Sequence, residues 1–89
     1  MAAHYNNLML DGMVTEILGG GVFDMESTTP IDRFDIHTIT IKTRVRAKPT
    51  DPIYELLKVG MQVRVTGPIT KDGMLANTLS LKGWQNGTL

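Results

Sequence analysis

The sequence predicts an all-β domain that contains one short helix. Two observations indicate this class. Apolar and polar residues alternate along most of the chain with the period of two that strands have. Residues 51–60 instead show helical spacing, with a capping Asp, a Pro and a closing Gly. Because 89 residues make one core, we expect a single domain over residues 1–89, with flexible ends at 1–6 and 86–89.

The composition excludes several classes of protein. An apolar content of 42% is typical of a globular chain. The absence of cysteine excludes a disulfide framework and a thiolate metal site, and it suits the cytoplasm, where we expect the protein to lie. No apolar run approaches the ~18 residues of a membrane span, and a signal-peptide pattern is missing, so no membrane association is expected.

Two strands open the chain, Leu8 to Leu18 and Val22 to Thr28. The first has apolar residues in both phases, which predicts a strand that bends or is covered on both sides, with a kink at Gly12. Gly19-Gly20-Gly21 follows it and lacks the Lys-Ser/Thr of a phosphate-binding loop. We therefore interpret the three glycines as a flexible connection between strands.

The third and longest candidate strand runs from Arg33 to Arg46 and is rich in Thr, Ile and Val. Its apolar residues change phase part-way, from Phe34 and Ile36 to Ile39, Ile41 and Val45. A strand that crosses both halves of a barrel must change its buried face in this way. The change predicts a bulge or sharp coil near His37-Thr38.

A short helix comes next. Asp51 can cap its free N–H groups, and Pro52 fits the first helical position. We expect the helix to run from Asp51 to Val59, with Gly60 as the left-handed residue that ends it.

A hairpin completes the chain, with its turn at Lys71-Asp72-Gly73. Its predicted apolar phase consists of Met61, Val63, Val65, Leu75, Leu79 and Leu81. The order is therefore three strands, a helix and two strands. This is the layout of the five-stranded OB-fold Greek-key barrel, with the helix between strands three and four.

The even positions of the third strand form a polar stripe: Thr38, Thr40, Lys42, Arg44 and Arg46. Lys48 follows in the loop, and no acid occurs between Asp35 and Asp51, so we expect the stripe to be un-neutralised. Arg64 and Lys82 occupy outward phases of the last two strands. Cations along a groove replace the condensed counterions of a nucleic-acid backbone, so the stripe predicts a nucleic-acid surface. The alternative is an ordinary solvated strand face.

Single-stranded nucleic acids also need flat surfaces on which unstacked bases can lie. Trp84 is in phase with Lys82, outside the apolar set, and is the best stacking candidate; Phe34 is a second. In the alternative, Phe34 fills the barrel and Trp84 plugs its end or lies in a subunit interface.

The charges are unevenly distributed along a chain whose net charge is zero. Residues 1–35 contain six acids and one base, and residues 36–89 contain eight bases and three acids, so the two parts have net charges of −5 and +5. The split predicts oppositely charged faces, unless strands from the two parts interleave and the charges average out.

Two segments carry a family resemblance. They are Asn7-Leu8-Met9-Leu10-Asp11-Gly12 and the run from Tyr54 to Gly67, YELLKVGMQVRVTG. They resemble the OB-fold single-stranded DNA-binding proteins of bacteria and their phages. The resemblance implies a role in DNA replication, recombination or repair, with strands two and three as the contact surface. Carried over residue by residue, it points to Lys42, Arg44, Arg46 and Phe34.

The sequence thus predicts an oligomeric protein that binds single-stranded DNA without strong sequence preference. The predicted contact residues are Phe34, Thr40, Lys42, Arg44, Arg46, Lys48, Arg64, Lys82 and Trp84. We expect no enzyme activity, cofactor or metal, because no catalytic spacing is present and the two histidines have no thiol beside them. An RNA-binding barrel and a protein-assembly module, as a replication accessory subunit or a phage structural component, are the alternatives.

Overall fold

A computed structural model describes residues 8–30 and 37–82. Over these ranges the protein is mostly β with one short helix, as predicted. The elements are β1 (Leu8–Gly19), β2 (Val22–Pro30), β3 (Thr38–Arg46), α1 (Pro52–Leu56), β4 (Gln62–Gly67), β5 (Ile69–Thr70), β6 (Gly73–Leu75) and β7 (Thr78–Leu81). The strands form one mixed sheet in the order β5-β6-β3-β2-β1-β4-β7.

The first four strands form a Greek key. β1, β2 and β3 are consecutive antiparallel neighbours, and β4 returns after the helix to lie beside β1. β1 pairs with a different neighbour along each edge, and the two pairings are offset: residues 8–13 pair with β4, and residues 13–19 pair with β2.

Gly12 lies where the two pairings of β1 meet. A Cβ there would be 2.7 Å from the Glu26 carbonyl oxygen, so a glycine is needed for the close approach of the two strands. The register shifts of β1 against β2 fall later, between Val14 and Glu16 and between Ile17 and Gly19. The strand is irregular as predicted, but the shifts follow Gly12 rather than coincide with it.

The three glycines form a tight turn between β1 and β2. All three have positive φ, and a Cβ on Gly21 would collide with the carbonyl oxygen of Ala47. In return, the Ala47 N–H donates to the Gly21 carbonyl at 2.7 Å. The turn is therefore held against the end of β3.

The sheet curls into a half-barrel because its two ends come from one stretch of chain. β6 pairs in parallel with β3, β7 pairs antiparallel with β4, and residues 76 and 77 alone separate them. Ala76 N–H donates to the Arg46 carbonyl at 2.9 Å, and Asn77 N–H donates to the Thr66 carbonyl at 2.7 Å. The prediction of five strands was wrong in number, since β5 is an additional strand and the bend at residues 76–77 divides the last strand in two.

The core contains Val14, Phe23, Met25, Val45, Leu57, Val63, Val65, Met74 and Leu79. The inward phase predicted for Val63 and Val65 is confirmed. The phase predicted for the last strand was wrong at its start: Leu75 is 42% exposed and Met74 is fully buried. The bend after Leu75 explains this, because an even-numbered residue, Met74, is buried before the bend and an odd-numbered one, Leu79, is buried after it.

The helix begins as predicted and ends early. The Ile53 N–H donates to Asp51 Oδ1 at 2.8 Å, so Asp51 is the N-cap. The predicted end at Val59 was wrong, because Leu57 already has an extended backbone and turns into the core. Gly60, with φ of +98°, instead donates its N–H to the Val14 carbonyl at 2.8 Å and leads into β4.

β3 pairs with β2 in unbroken register from Thr38 to Arg46, so this part of the strand has no bulge. The predicted start at Arg33 and the apolar positions Phe34 and Ile36 lie outside the described residues. The prediction that the odd positions of β3 are buried was wrong for two of the three. Ile39 and Ile41 are 45% and 48% exposed, because among the described strands none pairs with that end of the hairpin.

Candidate nucleic-acid interface

The predicted polar stripe lies on one exposed face of β3. Its five members, Thr38, Thr40, Lys42, Arg44 and Arg46, are all exposed. The antiparallel register places residues of β2 directly beside them, with Asp24 opposite Arg44, Glu26 opposite Lys42 and Thr28 opposite Thr40. The stripe is therefore one column of a face that β2 shares.

The expectation that the stripe is not neutralised locally was wrong for two of its cations, Lys42 and Arg44. Arg44 donates from Nε to Asp24 Oδ1 at 2.8 Å and from Nη2 to Asp24 Oδ2 at 3.1 Å. Lys42 Nζ lies 3.9 Å from Glu26 Oε2. These acids are distant from the stripe along the chain, but the register of β2 and β3 places them directly beside it. The hydrogen bond from Arg44 lowers the pKa of Asp24, and the same bond raises the pKa of Arg44.

Arg64 and Lys82 are also paired. Arg64 donates from Nε and Nη2 to the two oxygens of Asp11 at 2.8 and 3.0 Å. Lys82 Nζ donates to Asp11 Oδ2 at 3.1 Å. These contacts, the Arg64 hydrogen bond first, hold the pKa of Asp11 at about 2. Both cations lie on the outer face as predicted, but on the β1–β4 side of the sheet.

The uneven charge of the chain is thus paired across strands rather than divided between faces. Asp11 and Asp24 come from the acidic part of the sequence, and Arg64 and Arg44 come from the basic part. Of the two interpretations of the charge split, the described residues support interleaving. The sequence does contain a signal for this pairing, because Asp24 and Glu26 lie two residues apart and share one face of β2. In an antiparallel hairpin with β3, that face lies beside the face that carries the cations.

Three exposed cations near this face have no ion-pair partner within residues 8–30 and 37–82: Arg46, Lys48 and Lys71. Arg46 and Lys48 flank Ala47, the residue that is hydrogen-bonded to the β1–β2 turn. Lys71 lies in the β5–β6 turn. Gly73, at the end of that turn, is packed so closely on the Arg44 carbonyl that a Cβ would collide with it. The end of β3 therefore presents Arg46 and Lys48 beside the β1–β2 turn, and the β5–β6 turn carries Lys71.

The aromatic residues that the structure describes are not available for base stacking. Phe23 is fully buried. Tyr54 packs near it, with ring centroids 6.4 Å apart, and donates its hydroxyl to the Val22 carbonyl at 3.1 Å. Phe34 and Trp84, the predicted stacking residues, lie outside the described residues, so their roles stay predictions.

A polar groove of about 430 Å³ follows the paired residues of the face. Its lining consists of Thr15, Glu16, Asp24, Glu26, Lys42, Thr43 and Arg44. Within the described ranges, no group of three or more His, Cys, Asp or Glu side chains could hold a metal ion. No helix among the same residues is long and apolar enough to cross a membrane.

No family model matches the chain, and no curated protein matches it either.

Proposed function

We propose that this protein is an OB-fold barrel that binds single-stranded DNA without strong sequence preference, in DNA replication, recombination or repair. The observation that carries the proposal is the position of Arg46 and Lys48. They flank the residue that is hydrogen-bonded to the β1–β2 turn, at the end of the exposed β2–β3 face. OB-folds bind oligonucleotides on the face of strands two and three and on the loops beside it.

The topology supports the OB-fold assignment. Residues 73–81 form one bent strand when β6 and β7 are counted together, and β5 is a two-residue addition to the turn before it. The remaining count is five strands, with α1 between the third and the fourth. The Greek-key order and the curled sheet are those of the same fold.

The ion pairs affect which cations are available to bind DNA phosphates. Lys42, Arg44 and Arg64 each have a carboxylate partner that competes with phosphate. Arg46, Lys48 and Lys71 have none within residues 8–30 and 37–82, so we propose them as the principal phosphate contacts. Few contacts on one small barrel give modest affinity, and a homo-oligomer would multiply them.

Removing the two cations beside the β1–β2 turn tests the proposal. Arg46→Ala with Lys48→Ala should weaken binding of a labelled oligo-dT, measured by anisotropy. The slope of log K against log salt should shrink by about 1.4, since each single-strand phosphate contact contributes ~0.7. Lys58→Ala is the control, because Lys58 follows α1 and belongs to neither turn. If the wild-type protein does not bind at low salt, or if the double variant keeps both affinity and slope, the proposal fails.

A second candidate function is protein assembly, and the exposure of Ile39 and Ile41 favours it. Two neighbouring half-exposed isoleucines on one strand are typical of a contact surface. An assembly module would oligomerise or bind a partner without any nucleic acid. An RNA-binding barrel would use the same face as the DNA-binding protein and is separated from it by a preference for the 2′-hydroxyl in matched RNA and DNA oligonucleotides.

A further inference from the structure

We propose that Arg44, held in place by Asp24, is a platform on which a base of the bound strand stacks. This inference rests on the proposed function and assigns a role to a pair that the phosphate contacts leave unused. Arg44 is the platform and Asp24 is the positioning residue.

The hydrogen-bonding geometry of Arg44 orients a planar group at the surface. Two hydrogen bonds, from Nε and Nη2 to the two carboxylate oxygens, hold the Arg44 guanidinium beside the Asp24 carboxylate in a bidentate pair. Both N–H groups lie along one edge of the guanidinium, so these bonds do not use its flat faces. The Arg44 side chain remains 50% exposed, so solvent still reaches it beside the polar groove. A planar group with a fixed orientation and an accessible side is what base stacking requires.

The charges of the Asp24–Arg44 pair favour contact with a base over contact with a phosphate. A phosphate that took Arg44 from Asp24 would leave the carboxylate unpaired next to a second anion, and like charges at this distance repel. A base that stacks on the guanidinium breaks neither hydrogen bond. Guanidinium planes are established stacking surfaces for unstacked bases in nucleic-acid complexes. The existing ion pair thus opposes a phosphate contact at Arg44 and permits a base contact.

The described aromatic side chains lie in or against the core rather than on the β2–β3 face. Phe23 is fully buried, and Tyr54 packs against the core with its ring centroid 6.4 Å from that of Phe23. The groove beside Arg44 is also lined by two hydroxyl groups: that of Thr43, and that of Thr15, which donates to the Asp24 carbonyl at 3.3 Å and can still accept from a base edge. Arg44 is therefore the flat group that this groove offers to a base.

The test replaces the planar group without changing the charge. Arg44→Lys should weaken binding of oligo-dT about 5- to 100-fold, the range expected for one lost base stack, and leave the salt slope unchanged. Binding of an abasic deoxyribose-phosphate oligomer of the same length should not change, because it has no base to stack. Lys58→Arg is the control, because it also exchanges one cation for the other but lies after α1, outside β2 and β3, and its affinity for oligo-dT should equal that of the wild type.

Asp24→Asn is a second test. A stacking role and a phosphate role for Arg44 predict changes of opposite sign in the affinity of this variant for oligo-dT. It adds net positive charge, so a phosphate role for Arg44 predicts tighter binding of both oligomers. A positioning role predicts weaker binding of oligo-dT and no such loss with the abasic oligomer. Thermal melts of both variants check that they are folded.

The outcomes separate this inference from the proposed function. If the wild type binds oligo-dT but Arg44→Lys binds it equally well, or weakens both oligomers alike, the stacking role is overturned and DNA binding stands. Tighter binding by Asp24→Asn overturns it as well. If the wild type binds neither oligomer, the proposed function fails.

Discussion

The two halves of the β2–β3 hairpin have the same alternating pattern but different structures. The proximal half pairs residues 22–26 with residues 42–46, and the distal half pairs residues 27–30 with residues 38–41. The inward position Val45 in the proximal half is fully buried, whereas Ile41 in the distal half is 48% exposed. The residue types are similar, so the difference comes from their surroundings.

Neighbouring strands account for that difference. β1 pairs with β2 only as far as Glu26, and β6 pairs with β3 only at Val45 and Arg46. Beyond those points, within residues 8–30 and 37–82, the hairpin is a ribbon of two strands. Alternation therefore identifies a strand and its two faces, but burial requires a further layer to cover one of them.

The outer faces differ in the same direction. The proximal half carries the pairs Asp24–Arg44 and Glu26–Lys42, and Arg46 extends the row toward the β1–β2 turn. The distal half carries Thr28 opposite Thr40 and has no charged residue. The chemistry of the proposed interface is thus concentrated where the hairpin is also best supported.

A carboxylate placed inward in each half should give the largest contrast. Val45→Asp buries an unpaired charge in the core and should cost more than about 4 kcal/mol in the free energy of unfolding, enough to unfold a domain of this size. Ile41→Asp, at an already half-exposed position, should cost less than about 1 kcal/mol. Urea denaturation followed by circular dichroism measures both. Equal losses would show that the distal half is buried in solution.

Ser27 stands at the border between the halves and offers an intermediate effect. It is 7% exposed, and its Oγ has no hydrogen-bond partner within the described part of the chain. Ser27→Ala removes a buried hydroxyl that lacks a bond and should raise the free energy of unfolding by about 1 kcal/mol. Ser27→Val, which adds volume beside Gly12, serves as the packing control. A clear loss of stability in Ser27→Ala would mean that the hydroxyl is bonded in solution.

The smallest effect should be a dependence on pH that belongs to the proximal half. The hydrogen bond from Arg44 lowers the pKa of Asp24 below its usual 3.8. A carboxylate with a lowered pKa in the folded state stabilises the protein above pH ~4 and loses that contribution as the pH falls further. The melting temperature of the wild type should therefore decrease more steeply below pH 4 than that of Asp24→Asn. Thr28→Val, in the distal half, should keep the wild-type profile. Identical profiles for the wild type and Asp24→Asn would show that the pair does not persist in solution.

Much of the local structure could be predicted. The positions of β1, β2 and β4, the Asp51 cap and the inward phase of Val63 all follow from residues close together in the chain. They depend on periodicity, capping and turn chemistry, which act over a few residues. Two features could not be predicted this way: the early end of α1, and the burial of Met74 where Leu75 was expected in the core. Each depends on what packs against that segment.

The sequence by itself determined which residues of β3 share a face, because side chains alternate along any strand. It also determined that this face contains Lys42, Arg44 and Arg46. The tertiary structure decided that Lys42 and Arg44 are paired, whereas Arg46 has no ion-pair partner within residues 8–30 and 37–82. Asp24 reaches Arg44 across 20 residues of chain only through the register of the hairpin, and Asp11 reaches Arg64 across 53 only because β4 returns to β1. Electrostatic partners depend on distance in space, and that distance is set by strand pairing rather than by position in the chain.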